Sequence, residues 1–355
     1  MSDDLAALMA AAGRPVGPDE RLAIAVSGGP DSIGLLAMAA AAFSGRVTAL
    51  SVDHGLRAGS AAEVAGVAAQ CAARGLAHET LVWTGEKPGA NLQAAARAAR
   101  YALMLGWCRQ AGVPLLLTAH HADDQAETLL MRLARGSGSA GLAGVRARRE
   151  ADGVEIVRPL LGLRRAAIAR WAEGWETVSD PSNADPRFDR TAVRGLLARA
   201  PGLLPAGALA ASAAHLADEA AALDWTVAQA WAGRAEPGAD GVWLDADGLP
   251  DALRRRLLAR AVLALVPAAE LRGAGLDRLL ARLELGAGGD AGGGARGACG
   301  RAEGRVAAAA GPETARLSRQ NGPKARQKRA SRLRFVRSVL SCLCRSLRKS
   351  VNVRQ

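Results

Sequence analysis

The sequence is poor in aromatic residues and in cysteine. Only 3% of the 355 residues are Phe, Trp or Tyr, and there is a single tyrosine. The five cysteines form no C-x-x-C pair and no zinc-binding spacing; they are Cys71, Cys108, Cys299, Cys342 and Cys344. These absences argue against a disulfide-stabilised secreted scaffold and against a cysteine-based metal site. We therefore expect a reducing compartment, and a cytoplasmic location.

Two further absences concern membranes and one large class of nucleotide-binding proteins. No apolar run reaches the length of about 20 residues that a membrane-spanning helix needs. The first residues, Met1-Ser2-Asp3-Asp4, are acidic and do not begin a signal peptide. The Walker pattern G-x-x-x-x-G-K-[ST] is also missing. We expect no membrane partner, and any nucleotide phosphate must be bound by a different loop.

The net charge of +12 is concentrated at one end of the chain. Residues 1–285 contain 30 Lys and Arg against 31 Asp and Glu, and residues 286–311 contain 3 against 2. Residues 312–355 contain 13 against 1. The body therefore has no global positive field, and any nucleic-acid binding by the body must use local clusters of arginine.

Strand-like and helix-like segments alternate over the first 140 residues. The strand-like runs are nearly continuous in apolar residues, and we predict them at residues 22–26, 47–52, 79–83 and 115–119. Helical patterns follow at about residues 33–43, 60–74, 91–111 and 123–133. This alternation predicts an α/β fold with a parallel, Rossmann-like sheet covered by helices on both faces. In such sheets, ligands bind at the carboxyl ends of the strands.

The first of these carboxyl ends carries Ser27-Gly28-Gly29-Pro30-Asp31-Ser32, directly before a helix. Glycines let the backbone approach a bulky anion, while the helix N–H groups and the two serine hydroxyls can donate to it. Asp31 would repel a bare phosphate, so it indicates either a bridging Mg²⁺ or a helix cap. The alternative is an ordinary strand-to-helix turn with Asp31 or Ser32 as the N-cap.

Polar residues also follow the second strand. Asp53 and His54 lie directly after it and could position Mg²⁺ or a nucleophile. The alternative is a polar turn closed by Gly55.

The residues after the fourth strand are His120-His121-Ala122-Asp123-Asp124-Gln125-Ala126-Glu127. If the helix includes His120, then His120, Asp124 and Glu127 share one face, which could hold a metal or activate an amine. The alternative is a capping box with Asp124 as the N-cap and Glu127 three residues later.

Three arginines in this part of the chain are candidates for binding phosphate or substrate. Arg97 and Arg100 lie three residues apart on one helical face and could clamp phosphates, although such pairs are often merely solvated. Arg135 ends a helix before the glycine-rich residues 136–142. We predict that this segment is a mobile loop that grips substrate.

These motifs, taken in order, resemble known families. S-G-G-x-D-S resembles the pyrophosphate loop (PP-loop) of the ATP pyrophosphatase superfamily, whose members split ATP between its α and β phosphates. With V-D-H-G-L-R, A-R-x-x-R-Y, H-x-x-D-D-Q-x-E-T, R-G-S-G-x-x-G-L-x-G and Arg158-Pro159-Leu160-Leu161, the chain resembles the tRNA(Ile)-lysidine synthase family over residues 22–199. Asp180-Pro181-Ser182-Asn183 continues the match. The later F-D-R-T-A-V-R differs from the R-N-x-x-R of many members.

The resemblance implies a ligase reaction. Free L-lysine would be joined to carbon 2 of the wobble cytidine of tRNA(Ile) with a CAU anticodon, through an adenylated cytidine, releasing AMP and pyrophosphate. The alternatives are tRNA thiolation on the same loop, which the lack of C-x-x-C disfavours, and a catalytically impaired nucleotide- or RNA-binding protein. No protein partner is implied, and a homodimer is left open.

The resemblance also implies roles for individual residues. The implied ATP-binding residues are Ser27, Gly28, Gly29, Pro30, Asp31, Ser32, Asp53 and His54. Asp31 and Asp53 would hold Mg²⁺. The implied catalytic residues are Asp31, His120, Asp124 and Glu127. The implied contacts to substrate or tRNA are Arg97, Arg100, Arg135, Arg190 and Arg194.

The pattern along the chain predicts three regions. Residues 1–200 form the catalytic domain, and residues 201–285 form a smaller helical domain that contacts tRNA. One long helix would bury Leu209, Leu216, Leu223, Val227 and Trp231. A second would bury Leu253, Leu257, Leu258, Ala261, Val262 and Leu265, with Arg254, Arg255, Arg256 and Arg260 opposite, facing either tRNA phosphates or solvent. A short helix is predicted around residues 276–283.

Residues 286–355 are rich in glycine and then basic, and we expect them to be disordered or unrelated to the family. The alternative is a basic amphipathic helix with Leu333, Val336, Leu340, Leu343 and Leu347 on one face.

Overall fold

The structure is a computed structural model that describes residues 4–56, 59–85, 87–178, 189–238 and 241–267, together with the backbone of residues 332–336. The chain divides into two compact units, Met1–Asp218 and Glu219–Gln355. None of the described helices is long and apolar enough to cross a lipid bilayer. The domain limits expected near residues 200 and 285 remain predictions.

The first unit alternates strands and helices. Its strands are β1 (Leu22–Ala25), β2 (Val47–Asp53), β3 (Ala77–Val82), β4 (Leu115–Leu117), β5 (Arg148–Ala151) and β6 (Val154–Val157). Its helices are α1 (Leu5–Ala11), α2 (Pro30–Ala42), α3 (Ser60–Ala73), α4 (Leu92–Ala111), α5 (Ala122–Leu133), α6 (Ser139–Leu142), α7 (Arg165–Ala169) and α8 (Asp189–Arg199). A single 3₁₀ turn, Arg170–Ala172, follows α7.

The strands form one mostly parallel sheet in the order β3-β2-β1-β4-β6-β5, in which β5 alone runs antiparallel. The predicted parallel α/β fold is confirmed. β2, β1 and β4 are neighbours, so the loops that leave their carboxyl ends emerge side by side.

Successive residues of the central strands enter two different hydrophobic cores. Leu22 and Ile24 of β1 pack in the core with α2, whereas Ala23 between them packs in the core that includes Met104 of α4. A strand that is buried on both faces must be apolar throughout. This explains why β1 and β4 read as continuous apolar runs.

The β5–β6 hairpin lies outside the strands that the sequence predicts. Its turn is Asp152-Gly153, and both residues have positive φ, +52° and +74°. Asp-Gly with positive φ at both positions is the usual sequence of a type I′ hairpin turn. The Asp-Gly dipeptide is the sequence signal for this hairpin. The charged residues beside it do not form the apolar pattern by which the other strands are recognised.

The second unit begins inside the long helix α9 (Ala206–Arg234) and continues with β7 (Ala235–Pro237), β8 (Gly241–Asp245), α10 (Asp251–Leu265) and β9 (Arg332–Val336). The buried face predicted for α10 is confirmed at Leu257, Leu258, Ala261, Val262 and Leu265, which are all buried, whereas Leu253 is only partly buried.

The second unit also contains an antiparallel sheet, β7-β8-β9, that the sequence does not predict. Leu333 and Val336 lie in β9, which pairs with β8, so the amphipathic helix considered for them is wrong at these positions. The helix predicted at residues 276–283 and the glycine-rich segment after it lie outside the described residues.

Candidate active site

The polar loops predicted to converge do meet at one edge of the sheet. Asp31, after β1, has a carboxylate oxygen 3.4 Å from Nε2 of His121, which follows β4. His54, after β2, accepts a hydrogen bond at 3.3 Å from Nε of Arg100, which lies on α4. The loops after β1 and β4 therefore build one polar site, and the loop after β2 leaves the neighbouring strand at the same edge, as expected for this type of sheet.

The loop after β1 is held by its two serines. Ser32 Oγ accepts from the N–H of Ser27 at 3.1 Å and donates to the carbonyl of Gly29 at 2.9 Å. The two hydroxyl oxygens are 3.3 Å apart. Gly29 is the N-cap of α2, with Pro30 as its first residue. The interpretation of Asp31 or Ser32 as the N-cap is therefore wrong, because both lie inside the helix.

The two glycines of this loop serve different purposes. Gly28 has φ of +82°, and a Cβ there would lie 3.3 Å from Cγ2 of Val178, whose N–H donates to the Gly28 carbonyl at 2.8 Å. Gly28 is thus needed for backbone conformation and packing. Gly29 has only loose neighbours, the nearest at 3.7 Å.

The backbone of this loop fits an anionic ligand. Among the described residues, the N–H groups of Gly28 and Gly29 donate to no protein acceptor. They lie at the N-terminus of the 13-residue helix α2, where the helix dipole favours negative charge.

Asp31 is the acidic member of the loop, and a guanidinium holds it. Nη2 of Arg165 donates to its Oδ2 at 2.7 Å, and Nε of Arg165 donates to its Oδ1 at 3.1 Å. Partial burial opposes ionisation, but hydrogen bonds from His121 and Arg165 outweigh it and lower the pKa of Asp31 to about 2. Asp31 is therefore a carboxylate at any physiological pH.

Asp53 and His54 are held by local contacts. Asp53 accepts from the N–H of Gly55 at 2.9 Å and from the hydroxyl of Ser60, and these bonds lower its pKa. Burial and the charge of Arg100 lower the pKa of His54, which meets Trp83 edge-on at 6.0 Å between ring centroids. The contacts of Asp53 match the polar turn closed by Gly55.

His120 lies before α5, so it does not extend the helical face of Asp124 and Glu127. The three-residue stripe predicted for a helix that includes His120 is therefore absent. Nδ1 of His120 lies 3.0 Å from the hydroxyl of Thr118. Burial, with the nearby charges of Arg158 and Arg97, lowers the pKa of His120 to about 3. The imidazole is neutral and can accept a hydrogen bond.

The start of α5 corrects the predicted capping box. His121, not Asp124, is the N-cap, and Asp124 is the third helical residue. Oδ2 of Asp124 accepts from the backbone N–H of His121 at 3.1 Å. The predicted box is displaced by three residues, because the chain stays extended through His121.

His121 is a central residue of the site that sequence reasoning did not select. It is buried, and its ring nitrogens lie 3.4 to 3.6 Å from carboxylate oxygens of Asp31, Asp123 and Asp124. Interactions of its ring N–H groups with the carboxylates of Asp123 and Asp31 overcome the burial and raise the pKa of His121 to about 9. The adjacent pair of histidines was the only sequence signal for this buried cation.

Glu127 is buried and joined to α8 by two arginines. Nε of Arg190 donates to it at 2.6 Å and Nε of Arg194 at 2.8 Å, which keeps its pKa low despite burial. Arg190 also donates to Asp124 at 2.7 Å. Arg190 and Arg194, proposed as substrate contacts, thus lie on the carboxylates proposed for catalysis.

The remaining candidate arginines are more peripheral. Arg97 stacks over the ring of Tyr101 at 5.3 Å, and Arg135 pairs with Asp189 at 2.5 Å on the surface. The predicted glycine loop after Arg135 instead contains α6. Arg132 donates to the carbonyls of Gly141 and Gly144, which ties this segment to α5.

The residues present suit a magnesium ion that arrives with a substrate. Among the described residues, no group of three His, Cys, Asp or Glu side chains is placed to hold a metal ion. Mg²⁺ is commonly bound through one or two carboxylates plus substrate phosphates. An ionised Asp31 beside a phosphate-binding loop meets that requirement.

Comparisons with known proteins agree with this geometry. The PP-loop domain family matches residues 3–200. A tRNA(Ile)-lysidine synthase from Novosphingobium aromaticivorans is 45% identical over 277 residues, covering 76% of this chain and 83% of that protein. Another, from Zymomonas mobilis, is 42% identical over 272 residues, covering 75% of this chain and 82% of that one. The chain belongs to the tRNA(Ile)-lysidine synthase family.

This membership makes the chain a PP-loop, ATP-dependent tRNA-modifying protein, and the thiolation alternative is not favoured. Among solved structures, the U34-tRNA thiolase NcsA from Methanococcus maripaludis matches with a TM-score of 0.50 at 15% identity. That match covers 61% of this chain and 78% of the thiolase. At such low identity the likeness supports the shared fold alone.

Three of the motifs quoted above include residues outside the described part of the chain, and one of these residues is Phe188 of F-D-R-T-A-V-R. Arg57 of V-D-H-G-L-R and the whole of Asp180-Pro181-Ser182-Asn183 lie there. The segment F-D-R-T-A-V-R, which differs from the R-N-x-x-R of many family members, ends in α8. There Arg190 and Arg194 make the ion pairs described above.

Proposed function

We propose that this chain ligates free L-lysine to carbon 2 of the wobble cytidine of tRNA(Ile) with a CAU anticodon, at the expense of ATP. The carbonyl oxygen at carbon 2 attacks the α-phosphorus, and pyrophosphate leaves. The side-chain amine of lysine then attacks carbon 2, and AMP leaves. The observation that carries the proposal is the convergence of the Ser27–Ser32 loop and the His121–Glu127 segment at one sheet edge, in a chain of this family.

The first step needs stabilisation of the negative charge that develops on the departing pyrophosphate. The N–H groups of Gly28 and Gly29 and the hydroxyl of Ser27 are the donors we assign to it, joined by the hydroxyl of Ser32 once it turns from the Gly29 carbonyl to which it donates in this structure. Asp31, with Asp53 as the second candidate, would hold Mg²⁺, which neutralises phosphate charge when it is bound. His54 and Pro30 complete the nucleotide-binding surface that we propose.

The second step needs an amine at the same edge of the sheet. Glu127, whose pKa its two arginines keep low, is an ionised carboxylate, and with the side chain of Asp124 it suits the positioning of a lysine ammonium or amine. His120, whose pKa is about 3, is too weak a base to keep a proton at neutral pH. We therefore assign His120 to orienting the substrate through a hydrogen bond, and not to storing its proton.

We assign contacts with tRNA to arginines around this edge. Arg97, Arg100 and Arg135 lie on the first unit, and Arg190 and Arg194 would contact substrate once they leave their carboxylates. Thiolation is less well supported, because Cys71 and Cys108 are buried and burial raises the pKa of both thiols, that of Cys108 to about 11.

The decisive assay uses labelled lysine, ATP and an isoleucine tRNA transcript with a CAU anticodon. We expect label to enter the tRNA only when ATP is present, with one AMP formed for each lysine incorporated. A transcript with the wobble cytidine changed to uridine should accept none. ATP-dependent sulfur incorporation without lysine would support the thiolase alternative, and no modification of either kind would support the impaired binding protein.

A further inference from the structure

Arg165 contacts the PP-loop from α7, a helix that contains none of the residues predicted to have a role in the site. It is the first residue of α7, and its guanidinium grips the Asp31 carboxylate through Nε and Nη2 at 3.1 and 2.7 Å. The two residues are 134 positions apart in the chain. A two-point fork of this kind fixes the direction of the arginine as well as its distance.

The placement of Arg165 is built into the packing. One turn along each helix from the Asp31–Arg165 pair, α2 and α7 touch at Gly34 and Ile168. A Cβ on Gly34 would lie 2.6 Å from Cγ2 of Ile168 and 2.7 Å from its carbonyl oxygen, so only glycine allows this approach. Asp123 accepts from the backbone N–H of Arg165 at 2.8 Å, which fixes the start of α7.

The backbone of Arg165 is therefore fixed, whereas its side chain has an exchangeable partner. The side chain is 44% exposed, and its Asp31 partner is 22% exposed. Among the described residues, Nη1 of Arg165 donates to no acceptor. The side chain of Arg165 is thus accessible to a ligand that binds at the N-terminus of α2. An ion pair that only stabilised the fold would not require this access.

The charge of Asp31 gives a reason for Arg165 to bind a second partner. A triphosphate that approaches the N-terminus of α2 meets the negative charge of Asp31, and Arg165 is the adjacent cation that can offset it. A guanidinium matches phosphate oxygens as well as it matches a carboxylate. We propose that Arg165 is a nucleotide-binding residue of this site, which pairs with Asp31 in the absence of nucleotide and donates to the β- and γ-phosphate oxygens when ATP is bound. This inference rests on the proposed function.

Equilibrium binding tests the proposal without any turnover. Dissociation constants for ATP, pyrophosphate and AMP are measured for the wild type, for Arg165→Ala and for Arg165→Lys. We expect Arg165→Ala to weaken ATP and pyrophosphate binding about 10- to 100-fold, and AMP binding by less than about twofold. Arg165→Lys keeps the charge but loses the fork, so its loss should be intermediate.

Arg164→Ala is the matched control. Arg164 is the neighbouring arginine, equally charged, and its guanidinium binds Asp123 at 2.8 Å instead of Asp31. Its substitution should leave the ATP and pyrophosphate constants within about twofold of the wild type. Thermal unfolding of each variant identifies any that do not fold, and Arg165→Lys, which can still pair with Asp31, then carries the test.

The outcomes separate the two proposals. If the wild type binds ATP but Arg165→Ala and Arg165→Lys bind pyrophosphate as tightly as the wild type, Arg165 is only a structural partner of Asp31 and the inference is overturned. Equal weakening of AMP and pyrophosphate binding would overturn it as well, because it would indicate general distortion. If the wild type binds no ATP at all, the proposed function fails first and the inference fails with it.

Discussion

Three of the carboxylates that we assign to the reaction at this edge of the first unit are engaged by arginine. Arg165 holds Asp31, Arg190 holds Asp124, and Arg190 and Arg194 hold Glu127. Unpaired carboxylates in a half-buried site would repel each other and the incoming phosphates. A cationic amine must therefore compete with arginine for Asp124 and Glu127, which favours substrates that also offer an anion to the displaced guanidinium.

Replacing Asp31 with asparagine tests its role at the scale of one residue. We expect ATP-dependent AMP formation to fall about 100-fold or more, because the loop loses the carboxylate that would hold the metal, while the shape of the side chain is kept. AMP is quantified with radiolabelled ATP. Asp19→Asn, which removes an exposed carboxylate with no assigned role, should retain normal activity. Normal AMP formation by Asp31→Asn would refute the assignment.

His120 gives a prediction about pH. Its pKa is about 3 in the folded chain and near 6.5 when unfolded, so from pH 6.5 to 4.5 only the unfolded chain takes up the proton. The free energy of unfolding should fall by about 2 kcal/mol over that range because of this residue. The charged groups that surround it are Arg97, Arg158, Arg190 and His121.

Urea unfolding at pH 6.5, 5.5 and 4.5 measures this loss. Burial also lowers the pKa of His54 and His78, so the effect of His120 is the difference between the wild type and His120→Asn. The variant should lose less stability on acidification than the wild type. Identical slopes would show that His120 is not held neutral by the fold.

The sequence alone identifies Asp31, Asp124 and Glu127, and also Arg190 and Arg194, but not that these arginines pair with the carboxylates, and it does not identify Arg165. Ser27, Asp31, Asp124 and Glu127 stand in short motifs whose spacing can be read directly. Arg165 meets Asp31 only because two helices distant in sequence pack together, and no local pattern encodes that contact. Whether α5 includes His120 was left open, because the start of α5 depends on how the chain leaves β4.

At the scale of elements, the contact between α2 and α7 positions the loop. Gly34→Ala would place a methyl group within 2.6 Å of Ile168, so we expect a loss of about 1 to 3 kcal/mol in the free energy of unfolding. The control is Gly66→Ala in α3, where no atom lies within 4 Å of the added Cβ. That change should stabilise the chain by up to about 1 kcal/mol. Urea denaturation measures both, and an unaffected Gly34→Ala would contradict the packing argument.

Strands and helices were predicted correctly where the sequence pattern allowed only one interpretation. β1, β2 and β4 are buried on both faces, so their apolar runs could be read within two residues of the observed limits. β5 carries Arg148, Arg149 and Glu150 at the edge of the sheet, where exposed charges conceal a strand. β7 and β8 were missed in a region whose dominant pattern is helical.

At the scale of the whole molecule, charge and chemistry lie in different parts of the sequence. The first 285 residues are almost neutral, while the final residues are strongly basic. In the second unit, Arg256 pairs with Asp224 at 2.5 Å and Arg260 stacks over Trp231 at 4.9 Å, so part of the basic face of α10 is already engaged. Contacts with tRNA should therefore depend on a few local arginines in the body.

Ending the chain after Val336 tests this division. The truncation removes five arginines and lysines but keeps β9 and its pairing with β8. We expect the KM for tRNA in the lysine-incorporation assay to rise by less than about threefold at 150 mM salt, because we assign the contacts with tRNA to arginines of the body. A loss of tRNA modification would show instead that the basic end supplies essential affinity.

A crystal structure with a non-hydrolysable ATP analogue, α,β-methylene ATP, would examine the site itself. We predict triphosphate density against the N–H groups of Gly28 and Gly29 and the hydroxyls of Ser27 and Ser32, with Arg165 turned from Asp31 toward the β- and γ-phosphates. A nucleotide bound elsewhere, with those N–H groups paired inside the protein, would contradict the assignment of this loop and the reaction built on it.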